Sequence, residues 1–331
     1  MANQNLSRHA PMHRQRGLSL IELMVALTIG LFLVGAVSII YVNTATTSRS
    51  SVMEAQMNED ATLALELLQQ QVRLAGFSNV DAGGARLFPG RAVRGCDGGF
   101  TNNAGGTAFE AQTCSGTATG SDAFSVRYEA TLLNSQAVTN AGVQRPANCA
   151  NEGITAWNAL AEGAATATPM TLADNRYYVA NDADGTPSLF CQGRTGAGFG
   201  NATALIPNIE NMQVQYAVTA LPTAGNPIPH QVAGYVEAQN AVLGSVTPVN
   251  WSRVSAMRVC LLARSARPVP TGDNTTVDIG RYYDCNGAVQ TANDRYVRRA
   301  YVTTIQLRNM RPGLPAEYQA GNDPYAYLYE N

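Results

Sequence analysis

Lysine is absent from the 331-residue sequence, and histidine occurs only three times. The 22 basic residues are therefore all arginines, set against 24 Asp and Glu. Three of them, Arg8, Arg14 and Arg16, lie in residues 1–17, which contain no acid, so the remaining chain is mildly acidic. Binding to a phosphate backbone needs a basic patch, so this balance disfavours a nucleic-acid-binding function.

Motifs of the common catalytic and metal sites are also missing. The sequence contains no G-x-S-x-G, H-E-x-x-H or P-loop, and His230 stands in a proline-rich segment typical of a loop. The six cysteines are widely spaced, whereas zinc sites need Cys and His close together. Residues 181–185 resemble the start of a calcium loop but lack its closing Glu, and Asp-Gly is a common turn. We therefore predict no catalytic residue, metal or cofactor.

Charge is also absent from residues 23–48. They belong to an apolar run from Leu18 to Val42 whose only charged residue is Glu22. About 20 apolar residues span a bilayer as a helix, and arginines on the N-terminal flank predict that this end stays cytoplasmic. The chain beyond Val42 would then lie across the membrane, where disulfides form.

Three kinds of N-terminus fit this run to different degrees. A cleaved signal peptide needs a small-residue site after the run, and residues 43–45 make a poor one. A plain signal anchor explains the arginines and the run but not Glu22. A prepilin explains the arginines, the run, the acid and the Gly17–Leu18 junction before the run.

Glu22 distinguishes these alternatives because an acid within a membrane span is costly and usually has a functional partner. Cleavage after Gly17 would give Leu18 a positive α-amine. The amine of one subunit could then meet Glu22 of a neighbour and set the axial register between them. The plainer alternative is a single Glu tolerated near the membrane interface.

Residues 16–27, Arg-Gly-Leu-Ser-Leu-Ile-Glu-Leu-Met-Val-Ala-Leu, resemble the class III signal of type IV pilins and type II secretion pseudopilins. The resemblance implies that prepilin peptidase cuts between Gly17 and Leu18 and that Leu18 is N-methylated. Glu22 matches the glutamate at the fifth mature position. Leu18 departs from the phenylalanine that is commonest at the first position.

The helix is expected to continue beyond the membrane. Apolar residues recur at steps of three and four, which places them on one helical face: Met53, Met57, Ala61, Ala64, Leu65, Leu68, Val72 and Ala75, widened by Leu63, Leu67 and Leu74. No proline occurs between Pro11 and Pro89, and Gly76 is a plausible terminator. We predict a leader at 1–17, a membrane or filament-core half-helix at 18–42, an amphipathic half packed on the head at 43–76, and the head at 77–331.

The head is predicted to be mostly antiparallel sheet with long, disulfide-stapled loops, so the fold class is α+β and pilin-like. Residues 77–121 read as loops, residues 124–128 as a half-buried strand, residues 176–180 and 188–191 as a hairpin, and residues 212–218, 254–261 and 301–307 as further strands. Six cysteines allow 15 pairings. Pairing sequential neighbours, which closes local loops, favours Cys96–Cys114, Cys149–Cys191 and Cys260–Cys285.

Three head segments resemble the PilW family of minor pilins: residues 206–216, 254–264 and 298–309, the last ending in Leu-Arg-Asn. Residues 77–200 show no such resemblance. The resemblance implies a minor pilin that joins other pilins through its N-terminal helix, primes pilus assembly at or near the tip, and works with a PilY-type adhesin in motility or adhesion. It also implies an inner-membrane precursor with a periplasmic head that later reaches the pilus.

Two other functions remain open at this point. A type II secretion pseudopilin shares the N-terminal signal but usually has a smaller head. A membrane-anchored adhesion or binding domain that never polymerises would share the apolar run and would not need Glu22.

Overall fold

The computed structural model describes residues 17, 19–79, 92–101, 109, 112–115, 120–159, 168–196, 198–220, 231–243, 248–269 and 280–310. The chain divides into two compact units, Met1–Val52 and Met53–Asn331. Several residues singled out from the sequence lie outside the described ranges: Arg8, Arg14, Arg16, Leu18 and His230.

One long helix, α1, spans Leu20–Arg73 without a break, as the absence of proline predicts. The chain leaves it through Gly76, the predicted terminator, which has a φ of 77°. Glycine adopts this left-handed conformation at little cost. The Gly76 N–H donates a hydrogen bond of 3.0 Å to the Arg127 carbonyl, which joins the end of the helix to the head.

The buried face of α1 within the second unit is the predicted apolar stripe. Met57, Ala61, Ala64, Leu68 and Val72 are each at most 1% exposed, so this prediction is confirmed.

The assignment of Leu63 to the same stripe is wrong, because its side chain is 51% exposed. A helix turns by about 100° per residue, so Leu63 points about 140° away from Leu68 and lies beyond the buried face.

The head consists mainly of short antiparallel strands. They are β1 (Val93–Cys96), β2 (Ala123–Glu129), β3 (Ala137–Asn140), β4 (Val143–Pro146), β5 (Trp157–Ala159), β6 (Thr168–Met170), β7 (Leu172–Asn181), β8 (Pro187–Gly193), β9 (Thr203–Pro207), β10 (Ile209–Thr219), β11 (Val232–Val236), β12 (Val254–Arg264), β13 (Arg281–Tyr283), β14 (Val289–Thr291) and β15 (Arg298–Gln306), with a one-turn helix α2 (Pro248–Trp251) before β12.

Two larger sheets carry the core. The first has the order β1-β2-β7-β8-β9 and the second β11-β10-β12-β15, and three two-stranded hairpins complete the described part. The predicted hairpin is confirmed as β7 and β8, and the last three predicted strands as β10, β12 and β15.

Two predictions for the first half of the head are wrong. Residues 77–121 are not loops throughout, because β1 lies within them and pairs with β2. Strand β2 is not half-buried either: Ser125 and Arg127, at the polar positions of the alternation, are 0% and 4% exposed. Alternating apolar and polar residues predict a solvent-exposed face only when no other segment covers that face of the sheet. Here a segment that includes Phe109 covers it, and the Phe109 ring contacts the Arg127 guanidinium.

The two sheets meet at close range beside β1. A Cβ atom added to Gly95 would lie 1.8 Å from the phenolic oxygen of Tyr216 on β10. Glycine is therefore required at this position for the second sheet to approach the first. The ring of Tyr216 also packs edge-on against Trp251 of α2, with 5.0 Å between ring centroids.

Two buried aspartates add polar links between the sheets. Asp122 accepts hydrogen bonds from the backbone N–H groups of Gly98, at 3.0 Å, and of Val214 on β10, at 2.8 Å. Asp97 accepts from the N–H groups of Ala238 and Gln239, just after β11, at 2.9 and 2.8 Å. These bonds satisfy backbone donors that would be costly to bury unpaired.

Replacing Leu68 by Ala should lower the free energy of unfolding by about 2–5 kcal/mol, because the substitution opens a cavity in the core. Leu63→Ala is the matched control on the same helix and should change it by no more than about 0.5 kcal/mol. Denaturant titration of the detergent-solubilised chain measures both values. Equal losses for the two variants would contradict the burial of one leucine and the exposure of the other.

Burial raises the pKa of Asp122 to about 7, aided by the negative charges of Asp97 and Glu237 and opposed by its two backbone hydrogen bonds. Between its ordinary value of 3.8 and about 7, the folded chain binds a proton that the unfolded chain lacks. This contribution to stability is therefore complete below pH 4 and lost as the pH rises through 7.

Asp122→Asn removes that titration, so the stability of the native chain relative to this variant should fall between pH 4 and pH 8. Unfolding midpoints of both proteins across this range measure the difference. Parallel curves would show that Asp122 has the same proton affinity in the folded and unfolded states.

Candidate functional site

The start of α1 is organised by Ser19. Its hydroxyl oxygen accepts a hydrogen bond of 3.3 Å from the backbone N–H of Glu22. Its carbonyl accepts the 3.2 Å bond from the Leu23 N–H. Ser19 is therefore the N-cap, Leu20 the first helical residue and Glu22 the third, which is the Ser-x-x-Glu spacing of a capping box. This spacing, Ser19-Leu20-Ile21-Glu22, is visible in the sequence itself.

Glu22 occupies the first turn of α1, where the free backbone N–H groups create a partial positive charge. An acid at this position is favoured by about 0.3–1 kcal/mol at an exposed site. Both Glu22 and Gly17 are exposed within their unit.

Large apolar side chains cover the surface of α1 from Leu20 to Val42. Fifteen aliphatic and aromatic side chains from Leu20 to Tyr41 are more than half exposed, with values up to 79% for Phe32. Within the described residues, α1 is the one helix long and apolar enough to cross a membrane. Exposed apolar patches of this extent mark a surface that meets lipid or another protein.

The six cysteines form three disulfides, Cys96–Cys114, Cys149–Cys191 and Cys260–Cys285. Their Cα atoms are 5.1, 6.2 and 5.7 Å apart, within the range that disulfides need. These are the pairs that sequential order favours. The second links the loop after β4 to β8, and the third holds the β13–β14 hairpin to β12.

The segment that resembles a calcium loop is a hairpin turn. One carboxylate oxygen of Asp182 accepts hydrogen bonds from the N–H groups of Asp184 and Thr186, both at 2.9 Å. The same arrangement recurs at Asp284, which accepts from Asn286 and Ala288. Among the described residues, no group of three or more His, Cys, Asp or Glu side chains is arranged to hold a metal ion.

Sequence reasoning missed a buried arginine layer on the outer face of the first sheet. Arg94, Arg127, Arg176 and Arg194 are each at most 9% exposed. The Arg176 guanidinium lies 3.6 Å from the Asp174 carboxylate and 3.9 Å from the centre of the Phe199 ring. Burial lowers the pKa of Arg176, and Asp174 opposes that shift.

The other members of this layer bind the covering segments. Arg94 donates to the Phe109 carbonyl at 2.9 Å, and Arg194 stacks on Trp157 with 4.1 Å to the ring centre. The alternation of polar residues in β2 and β7 was the available signal for this layer. By itself, that alternation predicts that the polar side chains are exposed to solvent. They are buried because other segments of the head cover this face of the sheet.

Two family models match the chain. The prokaryotic N-terminal methylation motif matches residues 12–38, which include Gly17, Ser19 and Glu22. The model of the type IV pilus-assembly protein W matches residues 176–309, from within β7 to just beyond β15. The latter match begins earlier than the resemblance seen in the sequence, so residues 176–200 belong with the PilW-like part.

Among solved structures, the chain is similar to a type IV-like pilin from Thermus thermophilus, TTHA1219, with 14% sequence identity and a TM-score of 0.30. The similarity covers 77% of this chain and 97% of that one. No curated protein sequence matches the chain. The match at the start of α1 and the match in the second half of the head are together consistent with a type IV pilin of the PilW family.

Proposed function

We propose that the chain is a minor pilin that is processed by prepilin peptidase and takes part in initiating type IV pilus assembly, in a complex at or near the tip. One observation carries this proposal: a single chain matches the N-terminal methylation motif over residues 12–38 and the model of the type IV pilus-assembly protein W over residues 176–309. Such a subunit would support pilus-dependent motility or adhesion. Pilins are structural proteins, which favours a role without catalysis.

In this proposal the leader, residues 1–17, stays cytoplasmic through Arg8, Arg14 and Arg16 and is removed between Gly17 and Leu18. Residues 18–42 cross the inner membrane and later join the filament core. Residues 43–76 and the head, residues 77–331, begin in the periplasm and end on the pilus. The burial of Met57 to Val72 in the second unit supports the assignment of the second half of α1 to the head.

Assembly would join the methylated amine of Leu18 to the Glu22 carboxylate of a neighbouring pilin. Burying two opposite charges as a pair costs less desolvation free energy than burying the same charges apart. Removing one partner leaves the other buried and unpaired. The partners are other minor and major pilins through α1, and a PilY-type adhesin. A head of this size would be crowded if repeated along a filament, which favours the tip.

The main alternative within the same machinery is a type II secretion pseudopilin, because both classes share the N-terminal motif. The match over residues 176–309 favours the pilus, since its model describes a pilus-assembly protein. A non-polymerising anchored domain would have no use for the methylation motif.

Mass spectrometry of the chain from a strain with active prepilin peptidase should find Leu18 as the first residue, with a methyl group on its α-amine. The same chain from a strain without the peptidase should keep Met1 or Ala2 and carry no methyl group. An uncleaved N-terminus in the first strain would contradict the proposed processing.

Glu22→Ala should leave membrane insertion and cleavage intact and reduce the chain in sheared surface pili by more than about tenfold, because the Leu18 amine would be buried without its partner. Glu66→Ala is the matched control, since this exposed glutamate lies on the second half of the same helix. Immunoblots of the sheared and membrane fractions provide the measurement. Full recovery of the Glu22 variant in pili would favour an N-terminus whose acid is merely tolerated.

A further inference from the structure

The Ser19 hydroxyl differs in its bonding from other hydroxyls of the apolar half of α1. Thr28 and Ser38 donate to the carbonyls of Val25 and Val34, at 2.9 and 2.7 Å. Those bonds give each hydroxyl an acceptor but supply no partner that the helix lacks, because the carbonyls are already part of the helical hydrogen-bond pattern. Ser19 instead accepts from the Glu22 N–H, one of the first-turn donors that the helix itself leaves without a partner.

This bond determines where the helix begins. An N-cap has a non-helical backbone, while its carbonyl already accepts the first helical bond, as the Leu23 N–H shows here. With Ser19 as the cap, only Leu18 would precede it in a chain cut after Gly17. Without an acceptor at residue 19, the first turn would fray and Glu22 would lose its fixed position at the third helical residue.

We propose that Ser19 is a positioning residue for assembly: its cap holds Glu22 at the third position of the helix, so that the Glu22 carboxylate can reach the amine of a neighbouring subunit. The inference rests on the proposed function, because it assigns a residue to the pairing of amine and carboxylate. Ser19 contacts neither charge of the neighbour and acts through the geometry of its own helix.

The proposal predicts which residues can replace Ser19. Thr and Asn keep an oxygen that can accept the Glu22 N–H, whereas Val and Ala cannot cap a helix. Thr and Val have nearly the same shape, so this pair isolates the oxygen. Ser38→Val is the matched control, because it removes a donating hydroxyl from the same half of α1.

The experiment expresses the full-length chain with each substitution in a piliated strain and measures the mature chain in sheared pili relative to the mature chain in the membrane. Ser19→Thr and Ser19→Asn should match the native ratio. Ser19→Val and Ser19→Ala should lower it by about fivefold, the factor that corresponds to the free energy typically lost with an N-cap. Ser38→Val should leave it unchanged.

Three results would overturn the inference. Equal ratios for Ser19→Thr and Ser19→Val, together with a loss in Glu22→Ala, would leave the proposed function standing and remove the role of the cap. Accumulation of uncut Ser19→Val precursor would assign the hydroxyl to peptidase recognition instead. Absence of the native chain from sheared pili would refute the proposed function, and this inference with it.

Discussion

The packing of one helical stripe against two sheets is the interaction on which the head depends. The stripe from Met57 to Val72 belongs to a single buried cluster with Tyr177 and Leu189 of the first sheet and with Met212 and Val259 of the second. Burying large apolar side chains contributes about 1.5–3 kcal/mol each, so this cluster dominates the stability of the unit. Ala61 and Ala64 are fully buried between these larger side chains.

Several polar groups join segments of the second unit across or beside this core. Gln71 of α1 accepts hydrogen bonds from Tyr128 at 2.9 Å and Asn175 at 3.1 Å, which link the helix to β2 and β7. Asp122 links β10 to the turn after β1. Such bonds add modest net stability but are costly to break, because each leaves a buried group unpaired. They therefore specify one arrangement of helix and sheets.

The chain combines two segments with different physical demands. The beginning of α1 exposes an apolar surface whose stable surroundings are lipid or another apolar helix, and it offers one acid and one capping serine. The second unit, with three disulfides, buries the stripe from Met57 to Val72 within its own core. The proposed function needs both properties, because the subunit would leave the membrane for a filament while its head stays folded. The structure adds that the first turn is itself ordered, through the bond from Glu22 to Ser19.

The sequence by itself determined the helix, its buried face, the main strands and the N-terminal motif, because each depends on local periodicity or on residues close together in the chain. The same periodicity wrongly placed Leu63 on the buried face, because the spacing of apolar residues does not define where the buried face of a helix ends. Only the tertiary structure decided that Ser125 and Arg127 are buried, that Gly95 lies beneath Tyr216, and that Asp122 bridges two sheets. Those facts depend on segments far apart in sequence that cover or contact one another, and local pattern carries no information about which segments meet.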